Sequence, residues 1–228
     1  MPVPPRQYNG RMSDFGKGWK PRLPESMPSQ LSDRLTRLRE TLRDQDPGLV
    51  AARSGISHPT VGPDGFELHI PVWDDVFILP FPELTGCNSR GEPLPDFQQA
   101  LLLYYLVTAD GAPLTGKWVS FADLPDGRMY NAAFQGYSGD EIAKKFGLDL
   151  EAFKTACAKA GGNALEFGSA SFIFQALPRV PLIVACWLGD EDFPSSCKIL
   201  FDESASHYLP IDACAILGSM LTRKLIRS

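Results

Sequence analysis

Two short acidic segments carry most of the chemical potential of this chain. Gly189-Asp190-Glu191-Asp192 follows the apolar run Val184-Ala185-Cys186-Trp187, and Asp202-Glu203 follows Ile199-Leu200-Phe201. If the two runs are neighbouring strands, their carboxylates can share one edge of a sheet. If they form a hairpin, one end is the turn and Asp202 lies at the opposite end. Adjacent carboxylates repel, so such a cluster stays solvated, raises a pKa or recruits a cation. A solvated acidic turn is the plain reading. Contact with a basic partner, the chain's own N-terminal arm included, comes next, and a metal-dependent catalytic site third.

Other reactive residue types give weaker patterns. Gly111-Ala112-Pro113-Leu114-Thr115-Gly116-Lys117 matches the first seven positions of a phosphate-binding loop, but Trp118 stands where a Ser or Thr must hold Mg²⁺. Its flanks are also reversed, with a helical pattern before it and a strand-like one after, so no helix N-terminus faces an anion. A connecting turn accounts for its Pro and Gly residues. His58, His69 and His207 show no metal-ligand spacing, and no nucleophile elbow exists, Ser138 being better used as a helix cap. The five cysteines have no C-x-x-C spacing and sit in apolar surroundings, which predicts buried free thiols rather than a zinc ribbon or a disulfide framework. Trp73, Trp118 and Trp187 read as core residues before they read as a ligand pocket.

The elements that must position these groups follow from periodicity. Leu31, Leu35, Leu38 and Leu42 define one face of a helix that Ser29 or Ser32 can cap, with Asp33 and Arg37 able to pair on its outer side and Asp46-Pro47-Gly48 ending it. Phe66, Leu68, Ile70 and Val72 alternate as a strand, and after Asp74-Asp75 the run 76–79 continues as a second. Pro71, Pro80 and Pro82 belong at strand edges or ends. Residues 97–107 are apolar around most of their girth, which predicts a central core helix. Residues 118–121 form a short strand, Ser138 with Glu141 suggests a capping box, and residues 151–159 form a helix stopped by Gly161-Gly162. Strands are expected at 171–175, 182–187 and 198–201, and Pro210 opens a last helix. Strands and helices intermix without strict βαβ alternation. The expected class is therefore α+β, a mixed or antiparallel sheet packed against helices with a C-terminal helix.

Composition sets the outer bounds. The chain has 228 residues and a formal net charge of -5, with 44% hydrophobic and 21% charged residues, which excludes disordered, collagen-like and coiled-coil classes. Residues 1–28 are basic and Pro-rich and predict a flexible arm, leaving 29–228 as a single α+β domain. No segment has the ~20 continuous apolar residues of a membrane helix, and the N-terminus lacks an apolar signal core. A cytoplasmic protein without membrane insertion is expected. The acidic body disfavours nucleic acid, because phosphate contact needs concentrated positive charge.

Several strings support a family comparison: Leu101-Leu102-Leu103-Tyr104-Tyr105-Leu106, Pro113-Leu114-Thr115-Gly116-Lys117-Trp118-Val119-Ser120-Phe121, Leu177-Pro178-Arg179-Val180-Pro181-Leu182 and Gly189-Asp190-Glu191-Asp192-Phe193-Pro194. With Ile199-Leu200-Phe201-Asp202-Glu203-Ser204-Ala205 and Tyr208-Leu209-Pro210, the chain over about residues 65–226 resembles an uncharacterised prokaryotic family, domain of unknown function 3786. The resemblance implies a cytosolic bacterial or archaeal protein common in anaerobes. Some relatives carry an iron–sulfur-type segment that has no counterpart in the cysteines here. It supplies no activity, but it directs attention to Arg179, Asp190, Glu191, Asp192 and Asp202 as a binding site, with no metal ligand assigned.

The leading expectation is a non-catalytic accessory protein that binds a small molecule or a protein partner, since no nucleophile, metal or nucleotide motif survives inspection. The first alternative is a carboxylate-based, divalent-metal-dependent enzyme using Asp190 to Asp192 and Asp202. The second is a corrinoid- or tetrapyrrole-related accessory protein, which follows from the anaerobe association alone. No cofactor is specified.

Overall fold

The leucines spaced at three and four residues form α1 (Met27–Arg43). In the computed structural model, which describes residues 27–57, 59–62, 65–189 and 193–228, the expected arm lies outside the described residues as far as residue 26. The helix takes in residues 27 and 28, so Ser29 and Ser32 lie within it rather than at its cap. Leu35, Leu38 and Leu42 are buried. Asp46-Pro47-Gly48 does not merely end a helix but starts the next, α2 (Pro47–Arg53): Asp46 Oδ1 accepts from Leu49 N at 2.8 Å. Pro47 occupies the first turn, where its missing N–H has no partner to lose.

Strands β1 (Thr60–Gly62), β2 (Gly65–Val72) and β3 (Asp75–Phe81) form a three-stranded antiparallel sheet with β2 in the middle. Leu68, Ile70 and Val72 are buried, as the alternation requires. Val72 pairs with Asp75, so the turn is Trp73-Asp74 rather than Asp74-Asp75. Trp73 takes φ 54° there, and its N–H donates to Ala176 O at 3.2 Å, tying this sheet to the larger one. Pro71 lies beyond Glu67, the last β2 residue that β1 pairs.

Helix α3 (Asp96–Thr108) is the central helix expected from its all-round apolarity, with Leu101, Leu102, Leu103, Tyr105 and Leu106 buried. It runs antiparallel to α1: Arg39 Nη2 donates to Gln99 Oε1 at 2.6 Å near one end, while the Arg34 guanidinium lies over the Tyr104 ring nearer the other. After β4 (Trp118–Ser120) come α4 (Gly127–Tyr137), α5 (Gly139–Phe146) and α6 (Leu150–Lys159). Helix α4 has no expected counterpart, and it changes the role of Ser138. The Ser138 hydroxyl donates back to Phe134 O instead of capping α5, so the capping box does not form.

The larger sheet holds β5 (Asn163–Leu165), β6 (Ala170–Leu177), β7 (Val180–Trp187) and β8 (Ser196–Asp202), in the order β4-β8-β7-β6-β5 with every pair antiparallel. Its inner face, with Phe172, Phe174, Leu182, Val184, Ile199 and Phe201, joins α3, α4, α5, α6 and α7 (Ile211–Arg227) in one hydrophobic core. The outer face carries a separate small cluster of Ile183, Ala185 and Leu200 beside Trp118, Ile173 and Trp187. No helix among the described residues is long and apolar enough to cross a membrane.

Cys186 and Cys197 correct the expectation of free thiols. They sit directly opposite each other on β7 and β8, Cα atoms 4.1 Å apart, and form a disulfide. A spacing of 11 residues is invisible to motif reading, because only the hairpin register makes the two residues neighbours. Closing so short a loop restricts the unfolded chain by about 2–3 kcal/mol. Reduction with a phosphine should therefore lower the unfolding free energy in urea by that amount. An unchanged midpoint would show that the hairpin holds without the bond. The buried thiols of Cys157 and Cys214 are pushed up to about 12 by burial and are poor nucleophiles.

Candidate functional site

Polar groups converge at one end of the larger sheet because β7 and β8 form an antiparallel hairpin. Leu182 pairs with Phe201, which brings the start of β7 and the end of β8 together. Arg179, in the two-residue turn between β6 and β7, and Asp202, the last residue of β8, therefore lie at the same end. The connection that contains the other acidic segment leaves from Trp187 and returns at Ser196, the opposite end of the ladder. The two strands thus meet as a hairpin, the second of the two arrangements that the sequence leaves open. Asp190, Glu191 and Asp192 themselves lie outside the described residues.

Asp202 is 2% exposed and accepts five hydrogen bonds: from Thr115 N and Oγ1 at 3.1 Å, Gly116 N at 2.8 Å, Ser204 N at 3.0 Å and Ser204 Oγ at 2.6 Å. Burial alone would raise its pKa, but the donors from Ser204, Thr115 and Gly116 outweigh it and hold the carboxyl below the usual range. Its oxygens are committed to fastening the 109–117 loop. The segment that mimics a phosphate-binding loop thus directs two backbone N–H groups at a carboxylate of its own chain. Glu203 stays outside, where Oε1 meets Lys117 Nζ at 2.6 Å.

The same loop meets two tyrosines. Tyr208 OH donates to Ala112 O, and its pKa is raised, mainly by burial and further by the Asp110 and Asp202 charges against the opposing Arg179. Tyr105 is fully buried; its hydroxyl donates to Ser54 O and accepts from Arg179 N at 3.0 Å, and burial pushes its pKa up. Both phenols are therefore neutral donors at any ordinary pH. The half-buried Arg179 side chain lies against Gly55, whose φ of 65° suits glycine and whose hypothetical Cβ would come within 2.5 Å of Arg179 Nε. No ion pair or side-chain hydrogen bond engages the Arg179 guanidinium among the described residues. Beside Gly55 in the chain, the Ser54 hydroxyl is buried with no hydrogen-bond partner.

His207 and Asp110 complete the corner. His207 Nδ1 is 2.7 Å from Asp110 Oδ2, both side chains about half exposed. The His207 hydrogen bond, followed by the N–H of Ala112, holds the Asp110 carboxyl below its ordinary range. In a carbon-detected NMR titration, His207→Gln should move the Asp110 midpoint upward; an unmoved midpoint would assign the shift to the loop backbone. His207 stands out in the sequence, whereas its partner Asp110 lies 97 residues away and carries no local signal of the pairing. Among the described residues, no group of three or more His, Cys, Asp or Glu is placed to hold a metal ion.

Comparison with known proteins adds a family and nothing beyond it. Searches of the curated proteins and of the solved structures found no match. A family model described as Domain of unknown function (DUF3786) matches residues 46–224, which begins at the cap of α2 and includes Arg179, Tyr105, the 109–117 loop and Asp202. Since that match takes in most of the 228 residues, the chain belongs to the family of this domain of unknown function.

Proposed function

We propose that this chain is a non-catalytic binding protein that takes the anionic group of a small-molecule ligand on Arg179. The supporting observation is the guanidinium itself: half-buried, seated against Gly55, and without an acceptor among the described residues. A partly desolvated arginine without a partner loses solvation with no compensating bond, and a carboxylate or phosphate supplies both charge and paired acceptors. Tyr105, through its bond to the Arg179 backbone, and Gly55, through close approach, fix where the cation sits. The absence of catalysis is inferred from Asp202, whose carboxylate is filled by internal donors and is not free to act on a substrate.

A thermal-shift panel of small carboxylates and phosphates tests the reading. At least one compound should raise the melting temperature of the wild type and fail to do so for Arg179→Gln. A shift of equal size in both proteins, or none in the wild type, sinks it. A second reading is an acid–base enzyme, favoured by the His207–Asp110 pair, since a carboxylate on Nδ1 orients the imidazole and leaves Nε2 to exchange protons. That reading requires turnover of the bound compound, lost in His207→Gln while binding persists.

A further inference from the structure

A cavity of about 450 Å³ opens between α1 and α3, lined by Asp33, Arg34, Arg37, Leu38, Thr41 and Tyr104. Five of these six residues come from α1, which precedes residue 46, the first that the family model matches. Arg34 and Arg37 are one helical turn apart and neighbours on the helix surface. Neither makes an ion pair among the described residues, and the expected Asp33–Arg37 pairing is not formed although Asp33 borders the same space. Two adjacent cations facing one concavity repel each other, and the low-dielectric wall concentrates their field. The Arg34 guanidinium lies 4.9 Å from the Tyr104 ring centroid, a cation–π contact that holds it in place before any ligand arrives. The Tyr104 hydroxyl is itself buried without a hydrogen-bond partner. The volume falls within the range of small-molecule sites.

We propose that this cavity binds a small multivalent anion, a phosphate or polycarboxylate group, through Arg34 and Arg37. The site is independent of Arg179 and would be an addition made by α1 to the family domain. Asp33 opposes the anion and limits affinity.

Calorimetric titration of the full chain with pyrophosphate and with citrate, at low ionic strength, tests this. At least one should bind the wild type, and which one separates a phosphate from a carboxylate ligand. In the Arg179→Gln background, which removes the other proposed anion site, Arg34→Gln and Arg37→Gln should each weaken binding about tenfold and the two together abolish it, as loss of a charge-assisted contact requires. Asp33→Asn should tighten binding about two- to threefold by removing a like charge. Arg179→Gln should leave this affinity unchanged, which separates the two sites. All three α1 side chains are exposed, so these variants are expected to fold. No heat from either anion up to about 10 mM, weaker than any useful affinity on the scale where 1 mM is already marginal, overturns the proposal. So does equal affinity with and without Arg34→Gln/Arg37→Gln in the Arg179→Gln background.

Discussion

Asp202→Ala is expected to lower the unfolding free energy by about 3–5 kcal/mol, a large share of the 5–15 kcal/mol typical of a folded domain. The substitution removes the acceptor for Thr115 N and Oγ1, Gly116 N, and Ser204 N and Oγ at a position that is 2% exposed. Unmet donors in such a place cost more than the bonds themselves contribute. Urea unfolding measures the loss, and hydrogen exchange locates it: the Thr115 and Gly116 amides should lose protection before the core strands do. The pH dependence has a definite sign. Because the folded carboxyl titrates below its unfolded value of about 3.9, its stabilisation is complete above that pH and is lost as pH falls through the lowered folded value. The gap between wild type and Asp202→Ala should therefore be flat near neutrality and narrow below about pH 4. Removing the exposed Lys117–Glu203 pair by Lys117→Gln serves as a control and should cost under about 1 kcal/mol. If Asp202→Ala costs no more than that control, the 109–117 loop is held by something other than this carboxylate.

The same residue shows where sequence reasoning reached its end. Local pattern identified most elements: the alternation of Leu68, Ile70 and Val72, the all-apolar girth of α3, the leucine face of α1, and the α+β class. In each case one segment's own periodicity states which face is buried. Helix α4 escaped because Gly127, Asn131 and Gly136 mask its apolar residues, and α2 because Asp46-Pro47-Gly48 stops one helix and starts another with the same residues. Sequence marks Asp202 as an acidic residue at a strand end, but its use depends on Thr115 and Gly116, more than 80 residues away. The Cys186–Cys197 bond, the Asp110–His207 pair and the placement of Arg179 against Gly55 are likewise products of register and loop path. Such pairings are decided by how antiparallel strands meet, and a single chain read along its length carries no direct record of that.

Gly218→Ala should change sign with its background. In the wild type, a Cβ at this α7 position would lie 2.5 Å from Phe134 Cε2 and 2.7 Å from Cζ. Phe134 cannot yield readily, being 1% exposed and stacked on Phe121 at a 4.1 Å centroid distance, with Phe201 at 6.1 Å. Overpacking of about 1–3 kcal/mol then exceeds the gain of about 1 kcal/mol that alanine brings to a helix interior, leaving a net loss of about 1 kcal/mol. Phe134→Ala by itself removes the ring that joins α4 to β8 and α7, and should cost about 3–5 kcal/mol. In that background nothing obstructs the added methyl group: the helix gains propensity, and the methyl enters the space the ring vacated. Gly218→Ala should then stabilise by about 1 kcal/mol, so the double-mutant cycle yields a coupling of about 2 kcal/mol. Urea unfolding of the four proteins decides the matter, and the same sign for Gly218→Ala in both backgrounds would mean that α7 shifts as a body and that the ring does not set its approach to the sheet.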